Sequence, residues 1–302
     1  MKTYREVDSL PTGRADGSIT EGCLVLEGGA WRGLYTIGVL DELMANGINL
    51  RTTVGISAGA LSALGYLAGQ IGWAVRVDLL YRHDPAYCGR KAFRKDHGIT
   101  GFTYLYKDIT KALPLDKKRL MDPSRRMIVA ATNMETGELD YFEKGSCNLS
   151  LAVRASATVP YISRPVMIDG VPYLDGGCAD KIPYRWAQAN KFDKIVVVKT
   201  REWAYRRKEK KPGRYAKTLY RKYPEFLHTL AQTNRKFNEM ADEMENDFRE
   251  GNIFVIAPSQ KVEVSRFEGD LDKLADLYWL GHKDVKEQLP QLLDYLSKTS
   301  LT

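Results

Sequence analysis

The chain has 302 residues, 44% of them hydrophobic and 27% charged, a balance that suits a folded globular protein and excludes a disordered one. No uninterrupted apolar run reaches the ~18 residues that a membrane-spanning helix needs, and the polar opening MKTYREVDSLPTGRADGSIT lacks the apolar stretch of a secretory signal, so a cytoplasmic location is expected. The net charge of +7 is uneven: residues 201–222 hold ten basic residues against two acids, which puts +8 on this segment and −1 on the rest of the chain.

Residues 23–26 (CLVL) read as a short apolar strand and 28–33 as a glycine-rich loop. Leu34, Ile37, Leu40, Leu43 and Met44 recur at helical spacing, so 34–46 is predicted to be a helix that ends at Asn46-Gly47. Residues 52–56 form a second strand, and the small apolar run 57–69 a buried helix. This strand, loop, helix, strand, turn, helix order predicts an α/β fold with a mostly parallel sheet. Residues 72–126 read as helical and basic. Further on, 127–132 and 138–142 pair across a turn at Gly137, and a helix over 149–157 stops before Pro160. Residues 166–168 and 171–174 flank Asp169-Gly170, a dipeptide suited to a two-residue hairpin turn. Then come a strand at 194–199, a long helix over 223–250 with Phe226, Leu230, Phe237, Met240, Met244 and Phe248 on one face, a strand at 252–257 and a helical stretch at 270–299. Strands persist from end to end, which predicts one continuous domain over 1–302, with a basic insertion at 201–222 and a helical region at 223–302. Cys23, Cys88, Cys147 and Cys178 contain no C-x-x-C pair and read as reduced thiols, neither a zinc site nor a disulfide framework.

Gly55-Ile56-Ser57-Ala58-Gly59 carries the strongest chemical signal. A nucleophile held on a sharp strand-to-helix turn needs tiny neighbours two residues away, where strand and helix crowd together, and here Gly55 and Gly59 supply them. The loop Gly28-Gly29-Ala30-Trp31-Arg32-Gly33 follows the first strand directly. Its small residues let backbone N–H groups face a ligand. A dinucleotide site would want glycine at position 30 and an acid near 52–54, and a phosphate-binding P-loop would want a lysine after the glycines; an oxyanion hole lacks nothing. Ser57 also needs a base. A serine–histidine–acid arrangement would use His228 or His282, although both stand in charged, helix-like stretches. The alternative is Asp175, which follows a strand and is left open to approach by Gly176 and Gly177; Asp169 is accounted for by its turn.

Together, E-G-G-A-W-R-G at 27–33, G-I-S-A-G at 55–59, D-G-G at 175–177 and the small-residue and proline run at 155–165 resemble the patatin-like phospholipases, particularly bacterial members, over about residues 22–200. The resemblance implies a three-layer α/β/α sandwich and hydrolysis of lipid acyl esters (phospholipase A, lysophospholipase or carboxylesterase type) by a serine–aspartate dyad, with no metal and no cofactor. On it Ser57 is the nucleophile, Asp175 the base, and Gly28, Gly29, Ala30, Arg32 and Gly33 make the oxyanion hole. Ala30 stands where the family usually has glycine, and an alanine there is expected to keep an ordinary backbone conformation. A transacylase, or a lipid-binding protein without turnover, would carry the same motifs. An acyl channel would be lined by Trp31, Leu34 and residues 60–73. The segment 201–222, with Trp203, Tyr205, Tyr215 and Tyr220 interleaved, suits peripheral docking on an anionic membrane. The same interleaving could stack RNA bases, but no nucleic-acid motif accompanies it and no nucleic-acid partner is expected.

Overall fold

A computed structural model describes residues 2–298. Its frame is an eight-stranded sheet. In chain order the strands are β1 (Thr20–Leu26), β2 (Leu50–Ile56), β3 (Arg126–Asn133), β4 (Leu139–Glu143), β5 (Val166–Ile168), β6 (Val171–Asp175), β7 (Ile195–Val198) and β8 (Phe254–Ile256). They lie side by side as β8-β7-β1-β2-β3-β6-β5, with β4 also paired to β3. The run from β8 to β3 is parallel, and β4, β5 and β6 join antiparallel.

Alternation along the strands explains the three layers. Leu24 and Leu26 of β1 and Val196 and Val198 of β7 face one core, while Cys23, Val25, Ile195 and Val197 face the other. Both faces are buried, so these strands read as unbroken apolar runs. The first face is covered by α1 (Gly33–Ala45), α2 (Ala58–Leu67), α3 (Trp73–Tyr81) and the C-terminal helix. The second is covered by Phe237, Met240 and Met244 of the long helix, with Tyr184 and Ala187 beside them. The remaining helices used below are α4 (Leu149–Ser156), α5 (Arg214–Leu219), α6 (Pro224–Arg249) and α7 (Leu271–Ser297). The predicted strands and helices recur within a few residues, and Asp169 sits in its turn with φ of 49°. Thr299, the end of the predicted last helix, lies outside the described residues.

The basic insertion is not an open loop. Residues 214–219 are helical, and residues 203–208 are strapped to α6. Asn238 accepts from the Arg207 N–H (2.7 Å) and donates to the Arg207 carbonyl (2.9 Å), Asn234 donates to the Lys208 carbonyl, and Arg206 pairs with Asp242 and Glu245. Trp203 packs on Phe248, Tyr205 on Phe237 and Tyr220 on Phe226. Only Tyr215 of the four interleaved aromatics is turned out, at 65% exposure. The aromatic stripe is mostly packing, because burying those rings is worth more than leaving them in water. Among the described residues no helix is long and apolar enough to cross a membrane, and all four cysteines are free thiols.

Candidate active site

Ser57 sits between the end of β2 and the start of α2 with φ 54° and ψ −119°, a strained conformation for a residue with a side chain. The strain survives because its surroundings are fixed. A Cβ on Gly59 would come within 2.6 Å of the Leu26 carbonyl, so only glycine lets α2 start so close to β1. Gly55, beneath the turn, faces the backbone of Gly59 and Ala60 just as closely. The Ser57 N–H donates to Ser156 Oγ (2.8 Å), which in turn donates to the Ala130 carbonyl (2.6 Å). Ser156, on α4, thereby ties the turn to β3. Sequence reasoning did not single it out, and its only signal was its place in the small-residue run.

Asp175 closes β6. β3 lies between β2 and β6 in the sheet, so the strand order brings residues 118 apart in sequence to strand ends on either side of β3. Ser57 Oγ donates to Asp175 Oδ2 at 2.7 Å. The second oxygen, Oδ1, accepts the Gly177 N–H at 2.7 Å. The Asp175 main chain is held by Thr158 and by the Thr132 hydroxyl. Gly176 packs where a Cβ would meet the Ala130 carbonyl at 2.5 Å. Burial pushes the Asp175 carboxyl above its ordinary value, against the pull of the Ser57 hydroxyl, the Gly177 N–H, and the charges on Lys181 and Arg266. Neither His228 nor His282 approaches Ser57: His228 contacts Gln232 on an exposed face, and His282 is paired with Glu42 at 2.7 Å and with Tyr278. Among the described residues no histidine lines the cavity around Ser57, so the geometry contradicts the histidine-based alternative.

The glycine-rich loop departs from expectation at Gly28, Ala30, Arg32 and Gly33. The N–H of Gly28 is taken by the Lys181 carbonyl (3.0 Å), that of Arg32 by the Gly29 carbonyl (3.2 Å), and that of Gly33 by the Ala30 and Trp31 carbonyls. These three amides cannot serve an incoming oxyanion as expected. The Gly29 and Ala30 N–H groups have no acceptor among the described residues, and both residues line the cavity. Ala30 does not keep an ordinary conformation: its φ is 50°, a region that costs a residue with a side chain about 1 kcal/mol. Arg32 is 6% exposed, and its Nε has no partner among the described residues. Burial lowers its pKa to about 10.

Ser57, Asp175 and this loop open into one cavity of about 640 Å³. Trp31, Leu61, Leu64, Trp73, Val77 and Leu105 form an apolar part, whereas Leu34 is fully buried core and lines nothing. Among the described residues no group of three or more His, Cys, Asp or Glu side chains is placed to hold a metal ion.

A family model described as "Patatin-like phospholipase" matches residues 24–187, and a second, described as "Domain of unknown function (DUF6363)", matches 223–297. The chain is 30% identical over 182 residues to the uncharacterized protein YjjU of Escherichia coli K12, covering 59% of this chain and 51% of that protein. The chain thus spans about half the length of that relative. It is 25% identical over 202 residues to "Probable lipid hydrolase 463L" of Invertebrate iridescent virus 6, covering 59% of this chain and 69% of that protein. Among solved structures, VipD from Legionella pneumophila aligns with a TM-score of 0.48 at 13% identity, over 93% of this chain and 70% of that one.

Proposed function

The chain belongs to the patatin-like phospholipase family, and on that premise we propose that it hydrolyses carboxylic esters of lipids, with Ser57 as nucleophile and Asp175 as the base that activates it. The observation that carries this reading is the 2.7 Å bond from Ser57 Oγ to Asp175 Oδ2 at the wall of a cavity with an apolar arm. As Ser57 Oγ attacks the ester carbonyl, Asp175 takes its proton, and the Gly29 and Ala30 amides bind the oxygen that becomes negative. Collapse of the tetrahedral intermediate expels the alcohol, which receives the proton from Asp175. Water then attacks the acyl-serine, gives its proton to Asp175, and the acid leaves as Ser57 is restored. The partial positive charge at the start of α2 favours both tetrahedral stages. On this reading the whole chain acts as a single domain, with α7 bracing the loop that carries the amides.

Asp175 works only when ionised, so kcat/KM rises with pH as its carboxyl loses a proton. Burial holds that pKa above the free-aspartate value near ~3.9. Lys181 opposes this by favouring the carboxylate. Lys181→Met removes the favourable charge, so Asp175 should hold its proton to higher pH. The acid limb of the kcat/KM profile, measured with a soluble nitrophenyl ester, is expected to move up by about half to one pH unit. A limb that stays in place or moves down would separate Lys181 from the ionisation of the base.

We further propose that the cavity mouth rests on an anionic lipid surface. Tyr161, Ile162, Tyr215 and Phe267 are exposed, and Lys208, Lys210, Lys211 and Arg214 are exposed on the same basic segment. Each basic residue near such a surface contributes about 1 kcal/mol. Pelleting with phosphatidylglycerol vesicles is expected to fall steeply with added salt and to weaken in a Lys210→Gln/Lys211→Gln/Arg214→Gln variant. Salt-independent pelleting, equal in wild type and variant, would argue against this face.

A further inference from the structure

The cavity is electrostatically lopsided. Six cationic side chains line it: Arg32, Lys181, Arg207, Lys210, Lys211 and Arg266. Among the described residues only two carboxyls do, Asp175 and Asp78. Asp175 is engaged by Ser57 and Gly177, and Asp78 accepts the Tyr87 hydroxyl and is pushed up to about 6 by burial. Among the described residues none of the six cations has a carboxylate within ion-pair distance, whereas Arg206, next in sequence to Arg207, has two.

Arg207 is the most constrained of them. Its main chain is clamped by Asn238, and its guanidinium lies over the Phe237 ring at 4.7 Å and near the Tyr205 ring at 5.4 Å. Its Nε is buried with no partner among the described residues. Desolvation by burial lowers its pKa. Lys181 differs, because its Nζ already donates to the Gly177 carbonyl. Arg266 approaches from the loop between β8 and α7, is exposed, and carries enough charge near Asp175 and Lys181 to bias both. Taking the Arg207 guanidinium partly out of water without a carboxylate costs free energy. That cost is recovered when an anion binds, and a planar guanidinium fork matches two phosphate oxygens at once.

We propose that Arg207 and Arg266, both supplied by chain outside residues 24–187, form an anion subsite that makes the protein prefer acyl esters whose headgroup carries a net negative charge. The inference rests on the ester-hydrolase reading above. A phosphate diester alone would be drawn to the two arginines. A zwitterionic headgroup would also bring an ammonium beside the other cations, with both lining carboxyls already occupied, and that repulsion supplies the discrimination.

The test uses dihexanoyl phosphatidylglycerol and dihexanoyl phosphatidylcholine as monomers, so that no lipid surface contributes. The wild type should favour the glycerol lipid in kcat/KM by about tenfold or more. In Arg207→Gln/Arg266→Gln the ratio should fall towards one, mainly through KM, and Arg207→Lys/Arg266→Lys should keep part of it. Equal kcat/KM for both lipids in the wild type, or an undiminished ratio in the glutamine variant, would overturn the subsite while leaving the hydrolase reading intact. Calorimetric binding of the same lipids to Ser57→Ala protein reads the subsite without turnover. A preference seen there, with no hydrolysis by the wild type, would sink the hydrolase reading and leave the subsite standing. Glycerol 3-phosphate should compete for binding better than inorganic phosphate; equal competition would assign the cations to a free anion and overturn the headgroup proposal.

Discussion

Replacing Ser57 by alanine is expected to lower ester hydrolysis by about a thousandfold or more, and Asp175→Asn by a similar factor, because each removes a member of a pair that acts as a unit. The stability change should run the other way. Burial raises the pKa of the Asp175 carboxyl. A carboxyl whose folded pKa lies above the unfolded one holds its proton more tightly when folded. Its stabilising contribution is complete below the unfolded pKa and is lost as pH rises through the folded one. At neutral pH the ionised Asp175 is therefore a liability to the fold, and asparagine, which cannot ionise, should melt at the wild-type temperature or above it. Loss of activity with retained or improved melting is the pattern of a site kept for chemistry at the expense of stability. Melting curves and nitrophenyl ester turnover on the same preparations test both halves. An Asp175→Asn protein with wild-type turnover would end the dyad account, and one that fails to melt cooperatively would recast Asp175 as a structural residue.

A large effect on folding is expected at the crossing of α1 and α7. A Cβ on Gly38 would lie 2.0 Å from the Tyr278 carbonyl oxygen, and one on Gly281 would lie 2.3 Å from that of Tyr35. Both obstacles are backbone, so neither can turn aside as a side chain would, and a single methyl must push the helices apart. Buried polar contacts bridge the same crossing: Tyr35 donates to Asp284 and Tyr278 to Asp41, each at 2.9 Å. Separation would stretch these bonds and strand polar groups in the core. Gly38→Ala is therefore expected to cost about 3 kcal/mol or more, a large share of the roughly 5–15 kcal/mol that holds an ordinary domain together. Gly17→Ala, with nothing within 4 Å of the added carbon, serves as the neutral control. Urea titrations of both variants give the comparison, and a Gly38→Ala midpoint matching Gly17→Ala would mean the helices are not packed this closely. α1 follows directly on the loop that holds Gly29 and Ala30, so turnover should fall along with stability.

The parts of this structure that sequence could reveal are those in which cause and effect lie close together along the chain. β1 and β7 are buried on both faces, and they announce themselves as unbroken apolar runs. The turn at Ser57 is legible because the crowding that demands Gly55, against Gly59 and Ala60, acts within five residues, although Gly59 itself is crowded by Leu26 of β1. What stayed hidden depends on partners far away in sequence. Nothing near Gly28 says that its N–H is spent on Lys181, or that Ala30 will take a positive φ. Trp203, Tyr205 and Tyr220 look the same in sequence whether they face lipid or Phe248, Phe237 and Phe226, and only the position of α6 decides. Gly38 reads as an ordinary helix position until α7 crosses it. Arg207 reads as one charge among ten until Asn238 and Phe237 turn it towards the cavity.

On the proposed reading, Ser57 Oγ is the atom that takes the acyl group. A fluorophosphonate reacts with a serine only where a base and amide donors have made it nucleophilic. Labelling the wild-type protein and mapping the adduct by peptide mass spectrometry should place one phosphonyl group on the peptide containing Ser57, with labelling much reduced in Asp175→Asn and absent in Ser57→Ala. An adduct on any other residue, or ester hydrolysis that survives in protein whose Ser57 is absent, would contradict the account.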